Sequence, residues 1–261
     1  MNTKHSMAVE QTIQYMKQHL DERITTEQLA NRVGYSTFHF SRIFKDVTGI
    51  SVRQYLSALR MESGKNELLK HPSLLVKIGM SIGLSSTGTF VTRFKQFVGV
   101  SPKRFLSSVE MLFRFVNQYK DRRIDWAMDT NSSLPRVQCR IEAPLSFRGI
   151  VYVGLFPRAV PDQKPVAGTA INQNNGTAVI SGIPLGTYYL LAAGVPWSRN
   201  PRDYFLLHHT LRCKLDEPLH IHETSDLKVT VTLREPLPYD PPIVVNLPLL
   251  LFEKIRNNKA K

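Results

Sequence analysis

Two different rhythms of apolar residues divide this chain. Up to about residue 124 the apolar positions recur at helical spacing, broken by single glycines. From about 145 onward they come in short β-branched runs separated by proline and glycine. In the first rhythm, Phe40, Ile43, Phe44 and Val47 follow i, i+3, i+4, i+7, which predicts a helix with one buried stripe. Ser36 is placed to cap that helix and Gly49 to end it. Before it, TEQLANRV predicts a shorter helix capped by Thr26 and stopped at Gly34, where a residue without Cβ adopts the left-handed conformation cheaply. The second helix keeps Phe38, Ser41, Arg42 and Lys45 on its other face.

The unit occurs twice. At an offset of fifty, Ser36 falls on Ser86, Phe40 on Phe90, Phe44 on Phe94, Lys45 on Lys95, Gly49 on Gly99, Ser51 on Ser101 and Tyr55 on Phe105. Upstream the offset is 49: Val33–Gly34 falls on Ile82–Gly83 and Leu29–Ala30 on Ile78–Gly79, so the second turn holds one extra residue. An internal repeat of this kind reads as two copies of one helical unit, here helix, tight turn, helix.

Charge then says what the repeat faces. The chain has 34 Lys and Arg against 21 Asp and Glu, a net of +13. Residues 1–124 hold 19 basic and 9 acidic residues, so most of the excess lies in the helical half. Such an excess points to a polyanion. An anionic membrane surface is disfavoured because the basic residues sit on helices that have their own core stripe. A helix face with an aromatic, a hydroxyl, an Arg and a Lys suits a DNA major groove. Arg bonds guanine bidentately, Ser bonds base or phosphate, Phe packs on thymine methyls and Lys meets phosphate. Composition is ordinary for a globular chain, with no apolar run long enough to span a bilayer and no N-terminal apolar region of signal-peptide type. Cys139 and Cys213 form neither a disulfide framework nor a metal pattern. The expectation is a cytoplasmic protein without cofactor or metal.

The run LANRVGYSTFHFSRIFKDVTGISVRQYLSALRMESGKNELL, followed by IGMSIGLSSTGTFVTRFKQFVGVSPKRFL, resembles the DNA-binding domain of AraC/XylS-type transcription regulators over about residues 8–107. The resemblance implies two helix-turn-helix units, about 8–50 and 72–107, joined by a helix at about 52–71. It implies recognition helices at about 36–48 and 86–98 entering successive major grooves ~34 Å apart. It places Thr37, Phe38, Ser41 and Arg42 at bases in the first unit, and Thr87, Thr89 and Thr92 in the second. Ser36, Lys45, Ser86, Arg93 and Lys95 are the expected phosphate contacts. The second unit departs from the first: Thr92 stands where the first has Arg42, and Arg93 where it has the core-facing Ile43. Gly88 lies on its recognition helix, Gly79 in the slot of Ala30, and Gly64 in the joining helix. Each glycine costs ~1 kcal/mol in a helix interior. The first unit is therefore expected to carry most base readout, with Arg93 snorkelling to a phosphate. The domain is also N-terminal here, whereas most family members carry it at the C-terminus.

In the second half, RGIVYVGLF, TAVISGI, TYYLLAAGV and LKVTVTL read as strands, and about seven of them suggest an antiparallel sandwich. The segment GTAVISGIPLGTYYLLAAG resembles transthyretin-like or Cna-B-like domains over about 148–236, with Ile183, Pro184, Leu185, Gly186, Thr187 and Tyr188 forming the corner. The purine-hydrolase ending Tyr-Arg-Gly of some transthyretin-like proteins is not present in RNNKAK. His220 and His222 would share a strand face, yet no Cys or carboxylate completes a ligand set. His208 and His209 read as surface histidines. The tail DPPIVVNLPLLLFEKIRNNKAK reads as a last strand, a docking segment or a dimer contact.

The expected fold class is multidomain, α then β: an all-α double helix-turn-helix domain at 6–124, a linker at 125–145, and an antiparallel β-sandwich, transthyretin-like or immunoglobulin-like, at 146–261. The expected function is a sequence-specific DNA-binding regulator and not an enzyme, since no nucleophile–base–orienter motif appears. Double-stranded DNA is the expected partner. A small-molecule effector of the sandwich and a contact with RNA polymerase are compatible with it. The alternative is a small-molecule-binding or protein-interaction sandwich with a secondary DNA-binding role. A duplicated unit contacts two grooves as a monomer, so no particular oligomer is required.

Overall fold

A computed structural model describes residues 3–72, 74–120, 134–172 and 175–259. The chain divides into two compact units. One comprises Met1–Leu106 with Leu237–Val245, the other Ser107–Pro236 with Asn246–Lys261.

The first unit is helical: α1 (Thr3–Gln18), α2 (Thr26–Arg32), α3 (Thr37–Thr48), α4 (Val52–Lys70), α5 (Leu75–Ser81), α6 (Thr87–Val98) and the start of α7 (Pro102–Asn117). The repeat is visible residue by residue. After α2, Gly34 (φ 73°) donates to the Asn31 carbonyl and Tyr35 N–H reaches Ala30 O at 3.0 Å. After α5, Gly83 (φ 71°) donates to Met80 O and Leu84 N–H reaches Gly79 O at 2.9 Å. Both are Schellman closures, which satisfy the last carbonyls of a short helix. The extra residue lies between that closure and the next cap, as the offset predicted. Ser36 and Ser86 then cap α3 and α6, accepting from His39 N–H and Thr89 N–H. The cap of α2 is Thr25 instead of the expected Thr26: its hydroxyl accepts from Gln28 N–H while Gln28 answers the Thr25 N–H, a complete capping box.

The cores repeat as well. Phe40, Phe44 and Tyr55 pack tilted and edge to face with ring centroids 5.7 and 5.4 Å apart, and Phe90, Phe94 and Phe105 edge to face at 5.5 and 5.5 Å. All six rings are buried. Val47 is half-buried instead of core. The long helix α4 lies under both copies. Its Tyr55 meets Phe44 of α3, and its Gly64 admits Phe90 of α6 so closely that a Cβ there would sit 2.9 Å from the Phe90 ring. Gly64 therefore serves packing, which the helix-propensity argument alone did not show.

The second unit carries β1 (Arg136–Glu142), β2 (Gly149–Phe156), β3 (Ala167–Ile171), β4 (Asn175–Ser181), β5 (Gly186–Pro196), β6 (Leu211–Lys214), β7 (Leu219–Ile221), β8 (Asp226–Thr232) and α8 (Leu247–Lys259). A three-stranded sheet runs β4-β1-β8, and a five-stranded sheet runs β3-β2-β5-β6 with β7 on β5. One apolar core draws on both, with Val137, Ile141, Ile180 and Val231 from the first and Val151, Val153, Leu155 and Leu190 from the second. Tyr188 closes the Ile183–Tyr188 corner by donating to Leu185 O at 3.3 Å, with Gly186 at φ 150°.

Four expectations change here. Strand β1 occupies part of the stretch read as linker, 125–145. It pairs parallel with β8, so the sheets are not wholly antiparallel. Arg136 clasps Asp226 with both nitrogens at 2.8 and 2.6 Å across that pairing, which holds the Asp226 carboxyl down to about 2. The tail after 246 is a helix and not a last strand. Asn246 starts it by accepting from Leu249 N–H at 3.1 Å. Residues 237–245 belong to the helical unit, outside the expected 146–261 domain. The rest of the expected linker, 125–133, lies outside the described residues.

Candidate nucleic-acid interface

The surface of α3 opposite its buried stripe is largely exposed. Phe38 is 84% exposed, an extreme value for a large apolar side chain one turn from a core. Thr37, Arg42 and Lys45 are exposed beside it and Ser41 is half-buried. The Arg42 guanidinium stands 4.0 Å from Asp46 with both side chains largely in solvent. Such a pair contributes little stability and leaves the guanidinium free to swing. Ser41 donates its proton to Thr37 O at 2.7 Å, so it faces outward as an acceptor. The structure thus brings Thr37, Phe38, Ser41, Arg42 and Lys45 to one face.

The second face is quieter. Thr92 and Lys95 are exposed, Thr87, Thr89 and Arg93 half-buried. The Thr89 hydroxyl lies 3.0 Å from the Ser86 hydroxyl, which also caps α6. With these bonds made, the Ser86 hydroxyl keeps one hydrogen-bonding site for a ligand and the Thr89 hydroxyl two. Ser36 is likewise engaged as a cap. Arg93 takes the slot of the buried Ile43 without entering the core. It stands near Arg60 of α4, whose guanidinium pKa is lowered by burial and then by the Arg93 charge, with Asp21 opposing. Arg60 is held by the α1–α2 loop, donating to Leu20 O at 3.0 Å and Glu22 O at 2.6 Å.

Of the side chains that brace this surface, the sequence points only to His39, between the two faces, as a packing or phosphate-side residue. His5 of α1, Tyr35 of the turn and His39 of α3 form a ring trio with centroids 5.3–6.2 Å apart. Arg32 lies over the Tyr15 ring at 3.9 Å. Neither contact has a period to betray it, since each joins different elements. In the second unit His220 is exposed, 3.0 Å from the Thr187 hydroxyl. Among the described residues no group of three or more His, Cys, Asp or Glu is placed to hold a metal. Among them, too, no helix is long and apolar enough to cross a membrane.

Residues 29–108 match the helix-turn-helix domain family. The matched stretch runs from α2 through the first turns of α7 and so contains both copies. The chain is 27% identical over 101 residues to the TetD protein of transposon Tn10 from Escherichia coli, covering 39% of this chain and 73% of that one. It is 29% identical over 98 residues to AdaA of Bacillus subtilis, a bifunctional transcriptional activator and DNA repair enzyme, covering 38% of this chain and 46% of AdaA. It is 31% identical over 113 residues to the HTH-type transcriptional regulator YbfP of Bacillus subtilis, covering 41% of this chain and 38% of YbfP. The chain thus spans less than half the length of the last two. Among solved structures, an AraC-type regulator from Chromobacterium violaceum aligns over 41% of this chain and 96% of its own at 22% identity, TM-score 0.38. The C-terminal domain of AraT from Geobacillus stearothermophilus aligns over 39% and 84% at 29% identity, TM-score 0.37.

Proposed function

We propose that the chain binds duplex DNA at defined sequences and regulates transcription, with α3 and α6 as its two reading helices. Phe38 packs on thymine methyls, Arg42 reads guanine, and Thr37 and Ser41 bond neighbouring edges. Thr87, Thr89 and Thr92 supply a weaker second readout. Lys45, Lys95 and Arg93, with Ser36 and Ser86, take phosphates and fix the register. The observation that carries this reading is the exposed Phe38 beside the loosely tethered Arg42 on a helix that buries Phe40, Ile43 and Phe44 on its other side. The β-rich half serves as sensor or assembly module. Stabilisation by a metabolite in a thermal-shift screen marks the former, and concentration-dependent melting the latter.

The test is selection of bound duplexes from a random pool by the full chain. Enrichment of one bipartite site, bound with an affinity that falls steeply with salt, supports the reading. Binding without sequence preference, or none, rejects it.

A further inference from the structure

The helical unit is not built from the N-terminal region alone. Leu237–Val245 belongs to it as a strap. The strap starts with a closed turn, Asp240 N–H to Leu237 O at 3.0 Å and Leu237 N–H to the Asp240 carboxylate at 2.7 Å. It continues through Pro241 and Pro242 to Ile243, Val244 and Val245, which are 5%, 0% and 3% exposed. Proline lacks an N–H, so Pro238, Pro241 and Pro242 bury no orphan donors; the carbonyls still need partners. Helix α4 supplies partners for three of them. The Tyr55 hydroxyl donates to Asp240 O at 3.0 Å. Lys65, only 1% exposed, donates from Nζ to Val244 O at 3.1 Å and Ile243 O at 3.4 Å.

The two anchors stand at the two seats of the reading helices. The Tyr55 ring is what Phe44 of α3 packs on, at 5.4 Å. Lys65 follows Gly64, whose missing Cβ makes room for the Phe90 ring of α6. The repeat sharpens this: Phe105 plays the part of Tyr55 in the second copy and packs on Phe94 without any hydroxyl. The hydroxyl that distinguishes Tyr55 is therefore superfluous to the repeated core and is spent on the strap.

We infer that Leu237–Val245 is an intramolecular ligand of α4 whose docking, latched by Tyr55 and Lys65, fixes the spacing at which α3 and α6 engage DNA. Docked, it covers α4 and holds both seats in one arrangement. Released, it leaves α4 uncovered, and the two seats lose their common reference. The C-terminal half thereby gains a covalent handle on the DNA-reading half through nine residues. This inference rests on the DNA-binding reading above.

The test uses the full chain and two variants, Tyr55→Phe, which recreates the second copy's residue, and Lys65→Met, which keeps the length of the side chain. Hydrogen exchange of the amides of 243–245 reports docking. Affinity for the selected site, and for versions with the spacing between its halves altered by one base pair, reports function. We expect at least tenfold faster exchange in Lys65→Met, a smaller rise in Tyr55→Phe, and a loss of the wild-type spacing preference in the same order. Circular dichroism melts establish that each variant is folded, and Tyr55→Phe retains the packing of the ring should Lys65→Met fail to fold. A wild type that selects no DNA overturns the regulator reading and this one with it. A wild type that selects a site which folded variants bind with unchanged spacing preference overturns this inference alone.

Discussion

The two helix-turn-helix copies share their interior and differ at their surface. Both turn on a left-handed glycine, cap the second helix with serine and pack three rings against one another beneath it. Yet the first presents Phe38 and Arg42 where the second presents Gly88 and Thr92. What the backbone needs has been kept in duplicate, while the exposed positions, which cost the fold nothing to change, have gone separate ways. The copies also differ in what lies under them. Gly34 has open space where its Cβ would be, whereas a Cβ on Gly83 would meet Leu20 O at 2.6 Å and the Arg60 guanidinium at 2.8 Å. The second turn is wedged beneath the α1–α2 loop; the first stands clear.

That contrast gives the largest expected effect. Gly34→Ala should cost ~1–2 kcal/mol, the left-handed penalty alone. Gly83→Ala carries the same penalty plus a clash with backbone, adding ~1–3 kcal/mol more. Urea unfolding of both variants checks this, and equal losses would mean that the two turns are equally free.

The seats of the copies differ in charge. Burial pulls the Lys65 ammonium down from 10.5 to about 8, with Glu62 pulling the other way. Between those pH values the unfolded chain holds a proton that the folded chain has released, so stability rises with pH through that window. The full gain is on the order of 3 kcal/mol and is absent from Lys65→Met. Cys139, whose thiol burial pushes up to about 12, acts in the opposite sense above its ordinary value of 9.0. The difference between wild type and variant, measured by urea unfolding from pH 7 to 10.5, isolates the lysine. Parallel curves would show that folding does not lower the Lys65 pKa.

On DNA, Arg42→Ala should weaken specific binding by ~1–3 kcal/mol and relax one base position. Thr92→Ala, at the equivalent place in the second copy, should cost less, because a threonine hydroxyl makes one bond where a guanidinium makes two. Competition binding on the selected site ranks the pair. A larger loss at Thr92 would invert the assignment of the leading copy.

Much of this was legible because it is local. Caps, left-handed glycines, the extra turn residue and the stripe Phe40, Ile43, Phe44 are set by neighbours within a few positions. Thr25 and Thr26 illustrate the limit: two adjacent threonines can each cap, and only the Gln28 side chain decides. The strap was legible only as one of three readings of the tail, a docking segment, and its seat on α4 was not. Lys65 lies 178 residues from Ile243, and a lysine on a helix reads as solvated until something covers it. Strand β1 was missed for a related reason. Its parallel partner β8 is 90 residues away, and no turn signal announces that pairing. The exposed face of α3 was legible as a surface, but a period cannot say how far Phe38 stands out.

The glycines of the second copy offer the smallest effect and a clean separation of two causes. Gly79 and Gly64 both read as weak points in helices, but only one is. A Cβ on Gly79 would find Phe90 Cβ at 3.6 Å and nothing nearer, an ordinary contact, and the first copy already holds Ala30 there. Gly79→Ala should therefore stabilise the chain by up to ~1 kcal/mol, from helix propensity alone. At Gly64 the same gain is offset by the Phe90 ring at 2.9 Å and Ile82 at 3.0 Å, both buried with little room to withdraw, so Gly64→Ala should destabilise. The two alanines are chemically identical additions to helices under the same copy. Opposite signs in thermal melts would assign the difference to the seat of Phe90. If both stabilise, α6 is not seated on α4 as described, and the asymmetry between the copies reduces to their exposed faces.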